Sequence, residues 1–193
     1  MISRLALILF VVSLVGGCKN AAAEIPQYGD TGSFALTDQN GAALGSAELR
    51  GKVWIGAFMF TRCPTVCPLI TARMKGIQDQ AKARGIDVRL VSISVDPEND
   101  TPQVLRAYAD KHGAAPASWS FLTGDPTVIK RTSEQGFKSA LEGKADANAA
   151  DFGILHGSHL ILVDRDLKIR GYYRTSDDSE TTKLLEDAAR LAR

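Results

Sequence analysis

An α/β domain of three layers is what this sequence predicts, and three observations carry the prediction. Two continuous apolar runs of strand length, VWIGAFMF at residues 53–60 and DVRLVSISV at 87–95, read as strands buried on both faces. Between and after them lie stretches of helical periodicity with recognisable starts at Thr101-Pro102 and Asp125-Pro126. The chain then closes with two strands about a turn and one amphipathic helix.

In chain order, residues 34–37 followed by Asp38-Gln39-Asn40-Gly41 predict a short hairpin on an Asn-Gly turn. The first buried strand gives way after Cys67 to a helix carrying Ile70, Met74, Ile77 and Ala81 on one side, with its stop at Gly85. The second buried strand leads to the Thr101-Pro102 helix, which turns Val104, Leu105 and Tyr108 inward and ends near Gly113. A short strand at 119–122 precedes the helix that Asp125-Pro126 caps and Gly136 closes. Residues 142–151, rich in Ala, Asp and Gly, read as an exposed loop. Residues 159–163 and 168–173 form the final strand pair about a turn at 164–166, and Leu184, Leu185, Ala188 and Ala189 line the last helix. This order predicts a thioredoxin-like fold: a central mixed sheet flanked by helices, with an N-terminal hairpin.

Composition narrows what such a domain does. The 193 residues are 45% hydrophobic and 23% charged, which excludes disordered, collagenous and coiled-coil chains. With 23 Lys and Arg against 22 Asp and Glu and no basic run, nucleic acid is disfavoured as a partner, and so is attraction to an anionic membrane. Three cysteines, Cys18, Cys63 and Cys67, cannot staple a fold of this size, so they are read for chemistry.

Residues 1–17, with Arg4 ahead of an apolar stretch and small residues before Cys18, have the anatomy of a secretory signal. The apolar stretch falls short of the roughly 20 residues that a membrane-spanning helix needs. Leu14-Val15-Gly16-Gly17-Cys18 is similar to a bacterial lipobox, in which the cysteine is lipidated and becomes the mature N-terminus. The expected organisation is a lipoprotein signal peptide at 1–17, a tether at 18–32 and one folded domain at 33–193, exported and membrane-anchored by lipid.

Cys63 and Cys67 stand in FTRCPTVCP, where a buried strand passes into a helix. A spacing of four brings both sulfurs to one side of the first helical turn. Partial positive charge and unpaired N–H groups at that terminus favour thiolate, which is both nucleophile and soft metal ligand. A disulfide closing so short a loop adds little stability, so redox or metal chemistry fits the pair better than a structural staple. Of the three histidines, His112 ends a helix and reads as solvated. His156 lies in the loop before the strand at 159–163, which in thioredoxin-like folds faces the cysteine turn. No proline follows Pro126, so an imidazole can take that facing position. His159, three residues on, has the opposite strand parity and points away.

Taken together, FTRCPTVCP (60–68), SVDPENDTP (94–102), WSFLTG (119–124) and HGSHLILVDRDLKIRGYY (156–173) resemble the SCO/SenC family of copper-binding, thioredoxin-like proteins over roughly residues 33–175. The resemblance implies copper held by the thiolates of Cys63 and Cys67 and the imidazole of His156, as Cu(I) or, with added ligands, Cu(II). It implies delivery of that copper to the binuclear copper centre of cytochrome c oxidase, from a site facing the bacterial periplasm. The family's acidic pair corresponds to Asp96 and Asp100, which turn formation and helix capping explain equally well. An exported thiol–disulfide oxidoreductase that reduces the cysteines of the oxidase or another partner needs the same dithiol and stands as the alternative. A thiol peroxidase would use Thr61 and Arg62 beside its cysteine, but the cysteine spacing is wrong for it. A copper or redox sensor acting by protein contact completes the alternatives.

Overall fold

The computed structural model describes residues 24–139 and 158–193. Its strands are β1 (Gly29–Asp30), β2 (Ala35–Asp38), β3 (Ala43–Gly45), β4 (Trp54–Met59), β5 (Arg89–Ser94), β6 (Trp119–Thr123), β7 (His159–Val163) and β8 (Lys168–Arg174). Its helices are α1 (Ser46–Leu49), α2 (Val66–Arg84), α3 (Pro102–Lys111), α4 (Pro126–Arg131) and α5 (Asp178–Leu191). One mixed sheet takes the order β1-β8-β7-β4-β5-β6-β2-β3. The central β4, β5 and β6 run parallel, and β7 lies antiparallel to both β4 and β8. The thioredoxin-like architecture expected from the sequence is therefore the architecture found.

The two apolar runs are central strands because both faces of the sheet are covered. Along β4, Ile55, Ala57 and Met59 enter the cluster beneath α2, α3 and α5, while Trp54 and Phe58 enter the cluster on the opposite face. Each large apolar side chain removed from water here contributes about 1.5–3 kcal/mol before chain entropy is subtracted. The helix signals act locally. Thr101 accepts from the Val104 N–H at the start of α3, and the Asp125 side chain accepts from the N–H groups of Thr127 and Val128 at the start of α4. Gly85 ends α2 in the left-handed conformation, φ 63°. In the hairpin turn, Gly41 has φ 82°, and the Asp38 carboxylate accepts from the N–H groups of Asn40 and Ala42.

Two features differ from expectation. The α4 helix does not simply stop at Gly136 but widens into a π-helical turn over Thr132–Gly136, where Ser133 Oγ donates to the Ser139 carbonyl at 2.6 Å. The folded unit also begins before residue 33. Tyr28 N donates to the Ile169 carbonyl at 2.9 Å and Thr31 N to the Leu167 carbonyl at 3.1 Å. Arg170 donates to the carbonyls of Ile25 and Pro26 and pairs with Asp164. A polar segment without apolar periodicity is ordered here because the open edge of β8 satisfies its backbone. The expected signal at 1–17, Cys18 and the expected loop at 142–151 lie outside the described residues, as does His156. No helix among the described residues is long and apolar enough to cross a membrane.

Candidate metal centre

Both cysteines sit at the carboxyl end of β4. The strand runs out at Met59, and a turn returns the Cys63 N–H to the Phe60 carbonyl at 3.3 Å. By Cys67 the helix α2 has begun, and the Cys67 N–H donates to Cys63 Sγ at 3.4 Å. Thr65 Oγ1 lies 3.9 Å from the same sulfur. The local sequence folds this way because Pro64 and Pro68 restrict the backbone around the first turn, and that turn holds no acidic residue to oppose a thiolate. Both residues stand as thiols.

The two sulfurs occupy different environments. Cys63 is 7% exposed, and Cys67 is fully covered by the apolar cluster beneath α2. Burial opposes ionisation of Cys63, but the hydrogen bonds from Cys67 and Thr65 outweigh it and hold its thiol below the usual thiol range. Burial pushes the Cys67 thiol well up, and the neighbouring Cys63 and Asp100 charges push it further. The expectation that the helix terminus favours both thiolates therefore holds for Cys63 alone. Cys67 lies deeper, and desolvation of the sulfur overrides the helix terminus. Alkylation of the reduced protein with iodoacetamide between about pH 6 and 9 is accordingly expected to modify Cys63 first. Peptide mass spectrometry reads the order, and equal rates at the two cysteines would contradict this account.

The acidic pair holds the corner that precedes Cys63. Asp100, with no exposed surface, accepts from the Thr61 N–H at 3.1 Å, from the Thr61 hydroxyl and from the Ser94 hydroxyl. Burial raises its pKa above the carboxylate range against the pull of those three donors. Asp96 accepts from Arg62 Nε and Nη2 at 3.2 and 2.9 Å and from Asn99 Nδ2 at 2.8 Å. Arg62 is thereby turned onto a carboxylate beside the cysteine turn. One helical turn below Cys67, the hydroxyls of Thr71 and Tyr108 meet at 2.8 Å and tie α2 to α3. Ser94, Thr71 and Tyr108 were invisible as site residues in the sequence, because their partners are six and 37 positions away with no periodic signal.

The histidines separate. His112 stands at the C-terminal cap of α3, half-buried: its ring packs 4.3 Å from that of Tyr108, and partial burial lowers its pKa. His159 opens β7 opposite Arg174. Leu160 and Leu162 share the cluster of the two cysteines while Ile161 and Val163 belong to the other face, so the strand's alternation starts His159 away from the sulfurs. Among the described residues, no group of three His, Cys, Asp or Glu side chains is arranged to hold a metal ion. The donor pair itself is soft and sulfur-rich, suited to Cu(I) or Zn(II).

A family model described as SCO1/SenC matches residues 23–193. Among solved structures, the chain is similar to a SCO1/SenC family lipoprotein from Bacillus anthracis str. Ames, with a TM-score of 0.78 and 35% identity over 86% of this chain and 96% of that one. It is similar to BsSco, a member of the Sco family of cytochrome c oxidase assembly proteins with a disulfide switch, at a TM-score of 0.73 and 32% identity over 84% and 95%. The Bradyrhizobium japonicum ScoI structure with copper bound matches at a TM-score of 0.69 and 28% identity over 83% and 98%.

Proposed function

This chain belongs to the SCO1/SenC family, and on that premise we propose that it carries copper for cytochrome c oxidase assembly, delivering it to the oxidase's binuclear copper centre. The carrying observation is the Cys63–Cys67 turn, where two reduced sulfurs share one end of the sheet and one already accepts the N–H of the other residue. In this reading the thiolates of Cys63 and Cys67 and the imidazole of His156 hold the metal. Two thiolates and one imidazole form a soft set that suits Cu(I), and three ligands leave a position through which a partner's ligand can attack. Loading releases the proton of Cys67, so copper uptake weakens as pH falls. Oxidation to a Cys63–Cys67 disulfide removes both sulfur ligands and discharges the cargo. Lipidation of Cys18 would keep the domain on the periplasmic side of a bacterial membrane, a placement that the likeness to a family lipoprotein supports.

The test is an anaerobic Cu(I) titration of the reduced protein against a competing chelator, beside His156→Ala. One tightly held copper, weakened at least about tenfold in the variant, is the expected result. Affinity indifferent to His156 would remove it as a ligand.

A second reading, thiol–disulfide exchange, is favoured by the split between the sulfurs. The outer one is ionised more readily and the inner one is buried, which are the properties of an attacking and a resolving thiol. Weak copper binding combined with reduction of a partner's disulfide would favour it.

A further inference from the structure

Between Glu48 and Asp79 the chain holds no acidic residue, so the stretch that carries both cysteines is charged only by Lys52, Arg62, Arg73 and Lys75. Arg73 pairs with Asp178, Lys75 with Asp79, and Lys52 donates to the Glu48 carbonyl. Arg62, next in sequence to Cys63, is held differently. Its Nε and Nη2 both donate to one oxygen of Asp96, at 3.2 and 2.9 Å, while Nη1 has no partner among the described residues. The acceptor is itself fixed: its other oxygen accepts from Asn99 Nδ2 at 2.8 Å, and its N–H donates to Ser94 Oγ at 3.1 Å. Asp96 is 4% exposed and the Arg62 side chain 32%, so a buried carboxylate anchors a cation that solvent still reaches.

We propose that Arg62 is a specificity-determining residue beside Cys63, selecting partners that bring a carboxylate up to this sulfur. The α-carbons of Arg62 and Cys63 are about 3.8 Å apart, and charges separated on this scale act on one another inside a Debye length of about 10 Å at 0.1 M salt. The Asp96 charge is buried and spent on three N–H donors, two from Arg62 and one from Asn99. With Nε and Nη2 committed to Asp96, Nη1 keeps its donors for an incoming acceptor. The first turn of α2 holds no acidic residue, and its N-terminal end is itself positive. An anionic group approaching Cys63 is drawn by both, and a cationic one is opposed by both. The partner class is a polypeptide with Asp or Glu next to the thiol or metal ligand that meets Cys63.

The inference rests on the reading of Cys63 as the sulfur a partner meets, and the experiment separates the two. Iodoacetate and iodoacetamide share one reacting carbon and nearly one size but differ by a negative charge. With each, the Cys63 thiolate attacks the methylene carbon, an S–C bond forms, and iodide leaves with the electron pair of the broken C–I bond. Rates at Cys63 and Cys67 are read by peptide mass spectrometry on the reduced full chain and on its Arg62→Gln and Arg62→Lys variants. Arg62→Gln is expected to lower the iodoacetate-to-iodoacetamide rate ratio at Cys63 about fivefold, the size of a favourable exposed ion pair, while Arg62→Lys keeps it. Raising the salt from about 0.05 M to about 1 M should erase the difference between wild type and Arg62→Gln. A disturbed turn or a lost thiolate would slow both reagents alike and leave the ratio unmoved. An unmoved ratio overturns the selection by Arg62 while the reading of Cys63 survives. If iodoacetamide modifies Cys67 as fast as Cys63, that reading falls and the proposal falls with it.

Discussion

Replacing either Cys63 or Cys67 with serine is expected to lower Cu(I) affinity by about a thousandfold, roughly 4 kcal/mol, with little change in fold stability for Cys63. A hydroxyl keeps nearly the volume of a thiol but is a hard, neutral donor, while Cu(I) prefers soft thiolate. The two substitutions differ in their side effects. Cys63 touches solvent and its sulfur accepts the Cys67 N–H, a bond that a serine oxygen can also accept. Cys67 has no exposed surface and lies in the apolar cluster, so Cys67→Ser adds the cost of a buried hydroxyl, about 1–3 kcal/mol. Competition titration beside urea unfolding measures both quantities. Stoichiometric tight copper in both single variants would overturn the site.

Asp100→Ala is expected to destabilise the fold by about 3–5 kcal/mol, the second of the large effects. The substitution strips the acceptor from the Thr61 N–H, the Thr61 hydroxyl and the Ser94 hydroxyl, in a place with no exposed surface. Asp100→Asn offers one acceptor oxygen and presents two N–H donors to hydroxyls that were donating, so it recovers only part of the loss. The pH dependence has a definite sign. Folding raises this carboxyl above its ordinary value, so the folded state holds the proton more tightly than the unfolded chain. That contribution to stability is present below the ordinary carboxylate value and is lost as pH rises through the folded one. The gap between wild type and Asp100→Ala therefore widens as pH falls. Urea midpoints at about pH 7 and about pH 4 give the comparison, and a gap that narrows on acidification would contradict it.

Much of the fold was legible because its signals are local. The runs at 53–60 and 87–95 are apolar at successive positions, which only a strand covered on both faces tolerates, and they became β4 and β5. Thr101-Pro102 and Asp125-Pro126 supply both a capping oxygen and a proline where no N–H is needed, so the starts of α3 and α4 are fixed within two residues. The cysteine pair was legible for a similar reason: four positions at a strand-to-helix turn place both sulfurs together whatever the rest of the chain does.

What the sequence by itself determined, then, is everything that depends on neighbours a few positions apart: the strand and helix order, the caps, the hairpin turn and the dithiol. Only the tertiary structure decided which sulfur ionises more readily, since the burial of Cys67 on the inner side of α2 comes from packing against strands far away in the chain. The same is true of the roles of Asp96 and Asp100, which hold Arg62 and Thr61 across 34 and 39 positions rather than merely forming a turn. Residues 25–31 joined the fold through backbone bonds to the open edge of β8 and through the Arg170 side chain, whose partners Pro26 and Ile25 lie 144 and 145 positions away. The link from Arg73 through Thr175 to Ser158 spans 102 and 17 positions and carries no periodicity at all. Hydrogen bonds and desolvation act at distances of a few ångströms in space, and sequence separation does not record which distant residues the fold will bring that close.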